Sequence, residues 1–370
     1  MVRSPWIPLW LSALMLTSCI EERAPAPTPP SVLEAQEIIH RALPAKLADR
    51  DGWTRDIYDG FTALGIEITA QNACAVAAVI AQESGFQVDP VVPDLGRIAW
   101  AEIDRRAEHV LIPTSVVHGV LQLKSPNGRS YGERINAART EKDLSDVYED
   151  FIASVPLGRS LFESRNPIRT RGPMQVNVAF ADKFASTHTY PHPVKVSVED
   201  ELFTRRGSIY FGIAHLLAYR APYDSYLYRF ADYNAGQFSS RNAAFQRAIA
   251  IVSHRSLVPD GALLPREASA LSVGDTESAA RSLGARLSLS NDDIHGALEQ
   301  GRSEEFEGSP LYRRTLALAD QISAHAVTRA VIPRIELEGP KLSHKLTTAW
   351  YAHRVDGRYS RCLNPNASGG

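Results

Sequence analysis

The chain has 370 residues, of which 44% are hydrophobic, 22% are charged and 8% are aromatic. This composition is that of an ordinary globular protein, so it excludes a collagen-like or wholly disordered chain, and the length allows one large domain or two smaller ones. The 40 basic and 42 acidic residues leave a formal net charge of −2, which gives no overall reason to expect nucleic-acid binding.

The first 18 residues have the layout of a bacterial export signal. Arg3 provides a basic start, and the apolar stretch at residues 6–18 is too short to span a bilayer comfortably. The sequence LTSC, which ends at Cys19, resembles a lipobox, in which the cysteine after the cleavage site is acylated. The sequence thus predicts a lipoprotein signal peptide at 1–18 with Cys19 as the lipidated residue. The alternative is an ordinary cleavage site followed by a coincidental cysteine.

Residues 19–33 are interpreted as an anchor and a tether. The run ERAPAPTPPS at 22–31 is rich in proline, and such a segment stays extended. Several acyl chains on Cys19 would hold the protein firmly on a membrane. No Asp follows Cys19, which by resemblance to enterobacterial lipoproteins favours the outer membrane, with the protein facing the periplasm. No later apolar run is long enough to predict a membrane-spanning helix.

After the tether, apolar residues recur at helical spacing, which predicts an all-α fold with at most a small hairpin. The strongest predicted helix covers 68–86, beginning at Thr69 and ending near Gly85. Its residues 73–81 are small and apolar on every face, so we expect this helix to be buried on all sides. A second core helix is predicted over 202–219.

Glu83 lies at the end of the predicted buried helix and is followed by Ser84. A carboxylate in this position either reaches water at the helix end or takes part in chemistry. Two further runs favour chemistry, namely GPMQVN at 172–177 and ADYNAG at 231–236.

These three motifs, in this order, resemble those of the lytic transglycosylase family, which has a lysozyme-like fold and is related to goose-type lysozymes. The resemblance covers about residues 68–250. It implies that Glu83 is the catalytic residue. The residues that it places around the substrate are Ser84, Met174, Gln175, Tyr233 and Asn234.

The resemblance also implies a domain organisation. A lysozyme-like domain would cover 34–260, and a helical C-terminal region at 261–370 carries no motif. Gly172 follows Glu83 by 89 residues, much further than in the family, so we expect an insertion at about 90–165. This insertion must leave and return near the cleft, where it could cover the sugar groove or dock a partner.

The activity implied by the resemblance is cleavage of the β-1,4 bond between N-acetylmuramic acid and N-acetylglucosamine in peptidoglycan. A glutamic acid protonates the leaving oxygen, for which burial must raise its pKa. The same group then acts as a base on the sugar's own 6-hydroxyl, which closes a 1,6-anhydro ring without water. No cofactor is implied. No metal site is expected, because His188 and His192 lack helical metal spacing and no HExxH motif occurs.

Three alternatives stay open. Glu163-Ser164 precedes Gly172 by only nine residues, although its neighbours do not form a long apolar helix, which favours Glu83. A second carboxylate such as Asp232 or Glu163 would instead favour a hydrolytic muramidase. The third alternative is a peptidoglycan-binding lipoprotein without activity.

Three cysteines are too few for a disulfide scaffold or a zinc ribbon. In an exported chain Cys74 and Cys362 could form a disulfide; the alternative is a small core cysteine and an unpaired one near the C-terminus. Near that end, Trp350, Tyr351 and Arg354 are interpreted as a helix that packs on the main domain, with a sugar-facing patch as the alternative.

Overall fold

The computed structural model describes residues 30–155, 166–194, 197–265, 273–337 and 346–365. The predicted signal peptide, Cys19 and Glu163 lie outside these residues. The prediction of an all-α fold is confirmed, because helices account for most of the described chain. The helices are α1 (Val32–Ala42), α2 (Arg50–Ala63), α3 (Ala70–Glu83), α4 (Leu95–His109), α5 (Thr114–Leu121), α6 (Tyr131–Ala137), α7 (Glu141–Ser154), α8 (Val178–Ala185), α9 (Val198–Glu201), α10 (Arg205–Leu217), α11 (Tyr226–Ala235), α12 (Ser239–Ser253), α13 (Asp275–Ser282), α14 (Gly284–Leu287), α15 (Asn291–Glu299), α16 (Glu305–Gly308), α17 (Pro310–Ser323) and α18 (Thr348–Leu363).

The described strands form two short antiparallel hairpins. They are β1 (Thr170–Arg171) with β2 (Val176–Asn177), and β3 (Glu336–Leu337) with β4 (Leu346–Thr347). None of the helices in the described ranges is long and apolar enough to cross a membrane.

Helix α3 forms where the sequence predicts it. The Thr69 hydroxyl caps its N-terminus by accepting a hydrogen bond from the Asn72 amide at 3.1 Å. Gly85, just beyond its end, has a φ of +59°, which a glycine adopts without strain. Its central residues are buried on every face, because α1, α10 and α18 all pack against it. The helix therefore places Glu83 at the edge of the main core.

The main core joins segments from both ends of the chain. Helices α1 to α3, α8, α10 and α11 contribute to it, and the last helix, α18, returns to pack between α3 and α11 through Tyr351, Ala352 and Val355. A second core forms between α12 and α17 around Phe245 and Phe306. The predicted boundary at residue 260 therefore does not coincide with a boundary between cores.

The insertion has a small core of its own, built from α4 to α7. Its chain leaves and returns at one point, where Val91 forms an antiparallel bridge with Thr140. The Val92 amide also donates to the Arg139 carbonyl at 2.9 Å. This paired point, at residues 91–92 and 139–140, is here called the neck. Because the neck joins the two ends of the insertion, α7, which begins immediately after it, starts beside the main core.

A disulfide joins Cys74 of α3 to Cys362 of α18, whose Cα atoms are 5.6 Å apart. The pairing that the sequence leaves open is thus formed in the structure. The bond closes a loop with a sequence separation of 288 residues. It fixes the last helix to the helix that carries Glu83.

We expect Cys362→Ser to lower the free energy of unfolding by about 2–5 kcal/mol, because loss of the cross-link frees a very long loop in the unfolded chain. Chemical denaturation with and without reductant measures this, and reduced wild-type protein should match the variant. Intact-mass analysis after alkylation without reduction should find no label on either cysteine. Two labelled thiols at Cys74 and Cys362 would disprove the bridge.

Candidate active site

Glu83 is the last residue of α3 and is half-buried. The Tyr351 hydroxyl of α18 donates a short hydrogen bond to its Oε1. Tyr351 is itself buried, so its ring fills the space beside the carboxyl group while its hydroxyl fixes one carboxyl oxygen. Ser84 is buried and its hydroxyl donates to the Ile80 carbonyl at 3.2 Å. Ser84 therefore secures the helix end and is not aimed at a ligand.

The GPMQ motif forms the turn of the β1–β2 hairpin. The Gln175 amide donates to the Gly172 carbonyl at 2.9 Å, and Gly172 and Gln175 both have positive φ angles, of +71° and +49°. A Cβ atom at Gly172 would overlap the Leu202 carbonyl, so only glycine fits this tight turn. The strained φ of Gln175 fits a side chain held by specific contacts.

Met174 lies in the same turn but does not line a cleft. Its side chain is fully buried and packs against Gly212, where a Cβ atom would overlap the Met174 sulfur. Its backbone is held on both sides, because its amide donates to the Ser208 hydroxyl at 3.0 Å and its carbonyl accepts from the Tyr233 hydroxyl at 2.7 Å. The Met174 side chain therefore supports the turn from the core, and its contact with substrate stays a prediction.

Tyr233 and Asn234 lie on α11, opposite the hairpin turn. Tyr233 is buried and makes the hydrogen bond to Met174 just described, which ties α11 to the turn. The Thr348 hydroxyl of α18 donates to the Asn234 Oδ1 atom at 2.8 Å. The Tyr-Asn motif thus connects the turn on one side with the last helix on the other.

A second carboxylate reaches the site from the insertion. Glu141 is the first residue of α7 and is buried. The Gln175 Nε2 atom donates to Glu141 Oε2 at 3.0 Å, while Gln175 Oε1 accepts from the Thr170 hydroxyl at 2.7 Å. Both ends of the Gln175 amide are therefore occupied, and its orientation is fixed between the hairpin and the insertion.

The environment of Glu83 changes its acidity. Burial raises the pKa of Glu83 from its ordinary value of 4.5 to about 7, the hydrogen bond from Tyr351 lowers this pKa, and the negative charge of Glu141 raises it. Tyr233 and Tyr351 both have pKa values raised well above the ordinary range, first by burial and second by the charge of Glu83. At neutral pH the site therefore holds a carboxyl group that can both donate and accept a proton.

Asp232, which precedes the Tyr-Asn motif, is fully buried, and its contacts stabilise the fold. Its carboxylate accepts hydrogen bonds from the hydroxyls of Tyr219 and Tyr223 and from the Ser240 amide, the last at 2.6 Å. Burial raises the pKa of Asp232 to about 6. These contacts hold α11 against the start of α12, so Asp232 does not face the space beside Glu83.

Sequence reasoning missed Glu141 and assigned Tyr351 to packing. Glu141 opens a polar helix within the insertion and has no local motif. Tyr351 lies 268 residues from Glu83. The insertion's return point beside the cleft was the one sequence signal that could have directed attention to Glu141. Within the described ranges, no group of three or more His, Cys, Asp and Glu residues could hold a metal ion.

Comparisons with known proteins give a family but no activity. The family described as "Protein of unknown function (DUF1615)" matches residues 46–365. The chain is 44% identical over 355 residues to "Uncharacterized protein YaiW" of Escherichia coli (strain K12), which covers 95% of this chain and 96% of the relative. No solved structure gives a significant match.

The raised pKa of Glu83 predicts a pH-dependent effect of Glu83→Gln on stability. Between the ordinary value of 4.5 and about 7, the folded state binds more protons at this group, so its contribution to the free energy of unfolding falls as pH rises through that window. The variant lacks this loss. At pH 8 the variant should therefore melt several degrees above the parent. Each kcal/mol of difference in the free energy of unfolding raises the melting temperature by about 2–4 °C.

The difference should shrink toward zero near pH 4.5, where both side chains are neutral. Melting temperatures of the two proteins across this range measure the effect. Glu67→Gln makes the same atomic change at an exposed carboxyl and serves as the control. A constant difference between Glu83→Gln and the parent at all pH values would contradict the raised pKa.

Proposed function

The chain belongs to the DUF1615 family, and we propose that it is a peptidoglycan lytic transglycosylase. It cleaves the β-1,4 bond between N-acetylmuramic acid and N-acetylglucosamine and leaves 1,6-anhydro ends. The observation that carries this proposal is the environment of Glu83, a carboxyl group whose pKa is raised to about 7 at the end of a buried helix. The turn that carries Gln175 and the helix that carries Tyr233 and Asn234 complete the site.

Glu83 supplies both proton transfers in this mechanism. With a pKa of about 7, about half of the molecules hold the proton at neutral pH. The protonated carboxyl donates to the glycosidic oxygen as the bond to the anomeric carbon breaks. The resulting carboxylate then takes the proton of the sugar's own 6-hydroxyl, whose oxygen bonds to the anomeric carbon. Tyr351 holds one carboxyl oxygen in place during both steps.

The nucleophile is already part of the substrate, so the reaction needs no second base. The polar groups near Glu83 suit recognition of a sugar chain. The half-buried Asn234 accepts one hydrogen bond at its Oδ1 atom, from Thr348, and hydroxyl and acetamido groups of amino sugars are natural partners for an amide group.

A hydrolytic muramidase is the second candidate, and Glu141 is the observation that favours it. A second carboxylate near the acid could activate water, as in most glycoside hydrolases. We place this candidate second because Glu141 already accepts a hydrogen bond from Gln175, which suits a positioning role. Mass spectrometry of products from purified sacculi separates the two, since a transglycosylase releases anhydro ends and a hydrolase releases reducing ends. A binding protein without activity would release neither.

The location proposed with this function is the periplasmic face of the outer membrane, with acyl chains on Cys19. Peptidoglycan glycan strands lie within reach of a body tethered there. The Pro-rich segment at 22–31 would give it that reach.

We expect Glu83→Gln to reduce anhydro-muropeptide release by at least about 10³-fold, because one group supplies both the acid and the base step. The change preserves shape and most hydrogen bonding, so the variant should fold. Sacculus digestion followed by mass spectrometry provides the measurement. Glu163→Gln is the matched control and should retain most activity. A folded but inactive Glu163→Gln beside an active Glu83→Gln would transfer the catalytic role to Glu163.

Glu141→Gln keeps a hydrogen-bond acceptor for Gln175 but removes a negative charge. The ionisable groups facing Glu83 are Glu141 from α7, Tyr351 from α18 and Tyr233 from α11, and both tyrosines stay neutral at working pH. Loss of the Glu141 charge should therefore lower the pKa of Glu83, so that activity falls off at a lower pH. We expect the alkaline limb of the pH–activity profile to move down by about 0.5–1 unit.

Asp146→Asn is the control for this measurement. It removes the same charge from the exposed side of α7, where Asp146 pairs with Lys142 at 2.7 Å. The alkaline limb should not move in this variant. A limb that is unchanged in Glu141→Gln as well would show that Glu141 does not act on Glu83 electrostatically.

A further inference from the structure

The far end of the insertion exposes an apolar surface, here called the tip. Fifteen large apolar residues are exposed among those that the structure describes, and six of them lie within residues 110–123. The six are Val110, Leu111, Ile112, Val116, Val120 and Leu123. Leu111, in the turn between α4 and α5, is 90% exposed. Scattered exposed apolar residues are normal, but a cluster of this size marks an interaction site.

Helix α5 shows why the tip needs a partner. Val117 and Leu121 face the small core of the insertion. Val116 and Val120 lie on the adjacent face, about 100° around the helix axis, and Leu123 follows them just beyond the helix end. The apolar stripe of this helix is therefore wider than the part that its own core covers, and among the described residues the remaining part is exposed.

The charges around the tip are balanced, so its exposed apolar side chains determine what it binds. Arg105 and Arg106 are exposed on the last turns of α4, and Lys124 directly follows Leu123. Both arginines contact Glu102, at 2.7 and 2.6 Å. Residues 102–124 carry three cations and three anions. Exposed Leu, Ile and Val side chains with little net charge around them match the boundary between the headgroups and acyl chains of a bilayer.

The short segment between Cys19 and the first described residue favours a membrane over other apolar partners. The described chain begins at residue 30, eleven residues after Cys19. An extended Pro-rich segment reaches about 3.1 Å per residue, so acylation at Cys19 would hold the body within about 35 Å of a membrane. A surface held this close has a high effective concentration for the tip.

We propose that the tip of the insertion is a membrane-contacting surface, whose apolar side chains enter the boundary between headgroups and acyl chains. The proposal rests on the lipid anchor proposed above and not on glycan cleavage, so it goes beyond the proposed activity. A single lipid anchor leaves the body free to rotate. A second contact through the tip would restrict that rotation and give the active site a fixed direction relative to the membrane.

The test uses the mature chain from residue 19 with Cys19→Ala, so that no acyl chain contributes to binding. Co-sedimentation with vesicles of phosphatidylethanolamine and phosphatidylglycerol measures the contact. We expect this protein to bind the vesicles. The double variant Leu111→Glu, Val116→Glu should bind at least about tenfold more weakly, because two apolar side chains that enter the bilayer in the parent become charged.

Val258→Glu is the matched control, because Val258 lies outside the insertion and is about as exposed as Val116, at 58% against 54%. It should bind vesicles as the parent does. Circular dichroism melts confirm that each variant is folded. No vesicle binding by the parent, or equal binding by the double variant, would overturn the proposal. Concentration-dependent dimers in sedimentation, lost only in the double variant, would assign the tip to a second copy of the chain instead.

Discussion

A carboxyl group at the edge of an apolar core is the constraint on which the rest of this structure depends. Glu83 ends a helix whose residues 73–80 are buried on all faces, so its side chain can be accommodated only where specific groups surround it. A neutral carboxyl group still needs hydrogen-bond partners, and an ionised one needs them more. The hydroxyl of Tyr351 meets this need, and the elements that carry the other neighbours must be brought to the same point.

This requirement is met by the C-terminal helix α18, which packs against α3 near the start of the described chain. The last helix lies between α3 and α11, where it supplies Tyr351 to Glu83 and Thr348 to Asn234. Two side-chain hydrogen bonds are weak restraints on a helix that follows a separate core of six helices. The disulfide between Cys74 and Cys362 adds a covalent restraint between the same two helices. It stabilises an arrangement that is otherwise costly in loop-closure entropy.

The sequence predicts the local features of this site well, because they depend on short-range rules. The hydroxyl cap at Thr69 and the glycine at the helix end both follow from neighbouring residues. The burial of the Met174 side chain could not be predicted, since a motif position does not reveal whether a side chain points to solvent or to the core. Glu141 and the contact of Tyr351 could not be predicted, because each depends on a pairing between segments far apart in the chain. No periodicity within either segment carries that information.

The insertion shows how a long excursion can serve a site without disturbing it. Because Val91 pairs with Thr140 at the neck, everything between them can vary in shape while Glu141 keeps its place. Glu141 then acts in two ways through one carboxylate: it accepts a hydrogen bond from the Gln175 amide and places a negative charge near Glu83. The opposite end has no such duty, so its surface is free to be apolar. The small core of the insertion thus separates the Glu141 carboxylate, at the active-site end, from the exposed apolar tip at the other end.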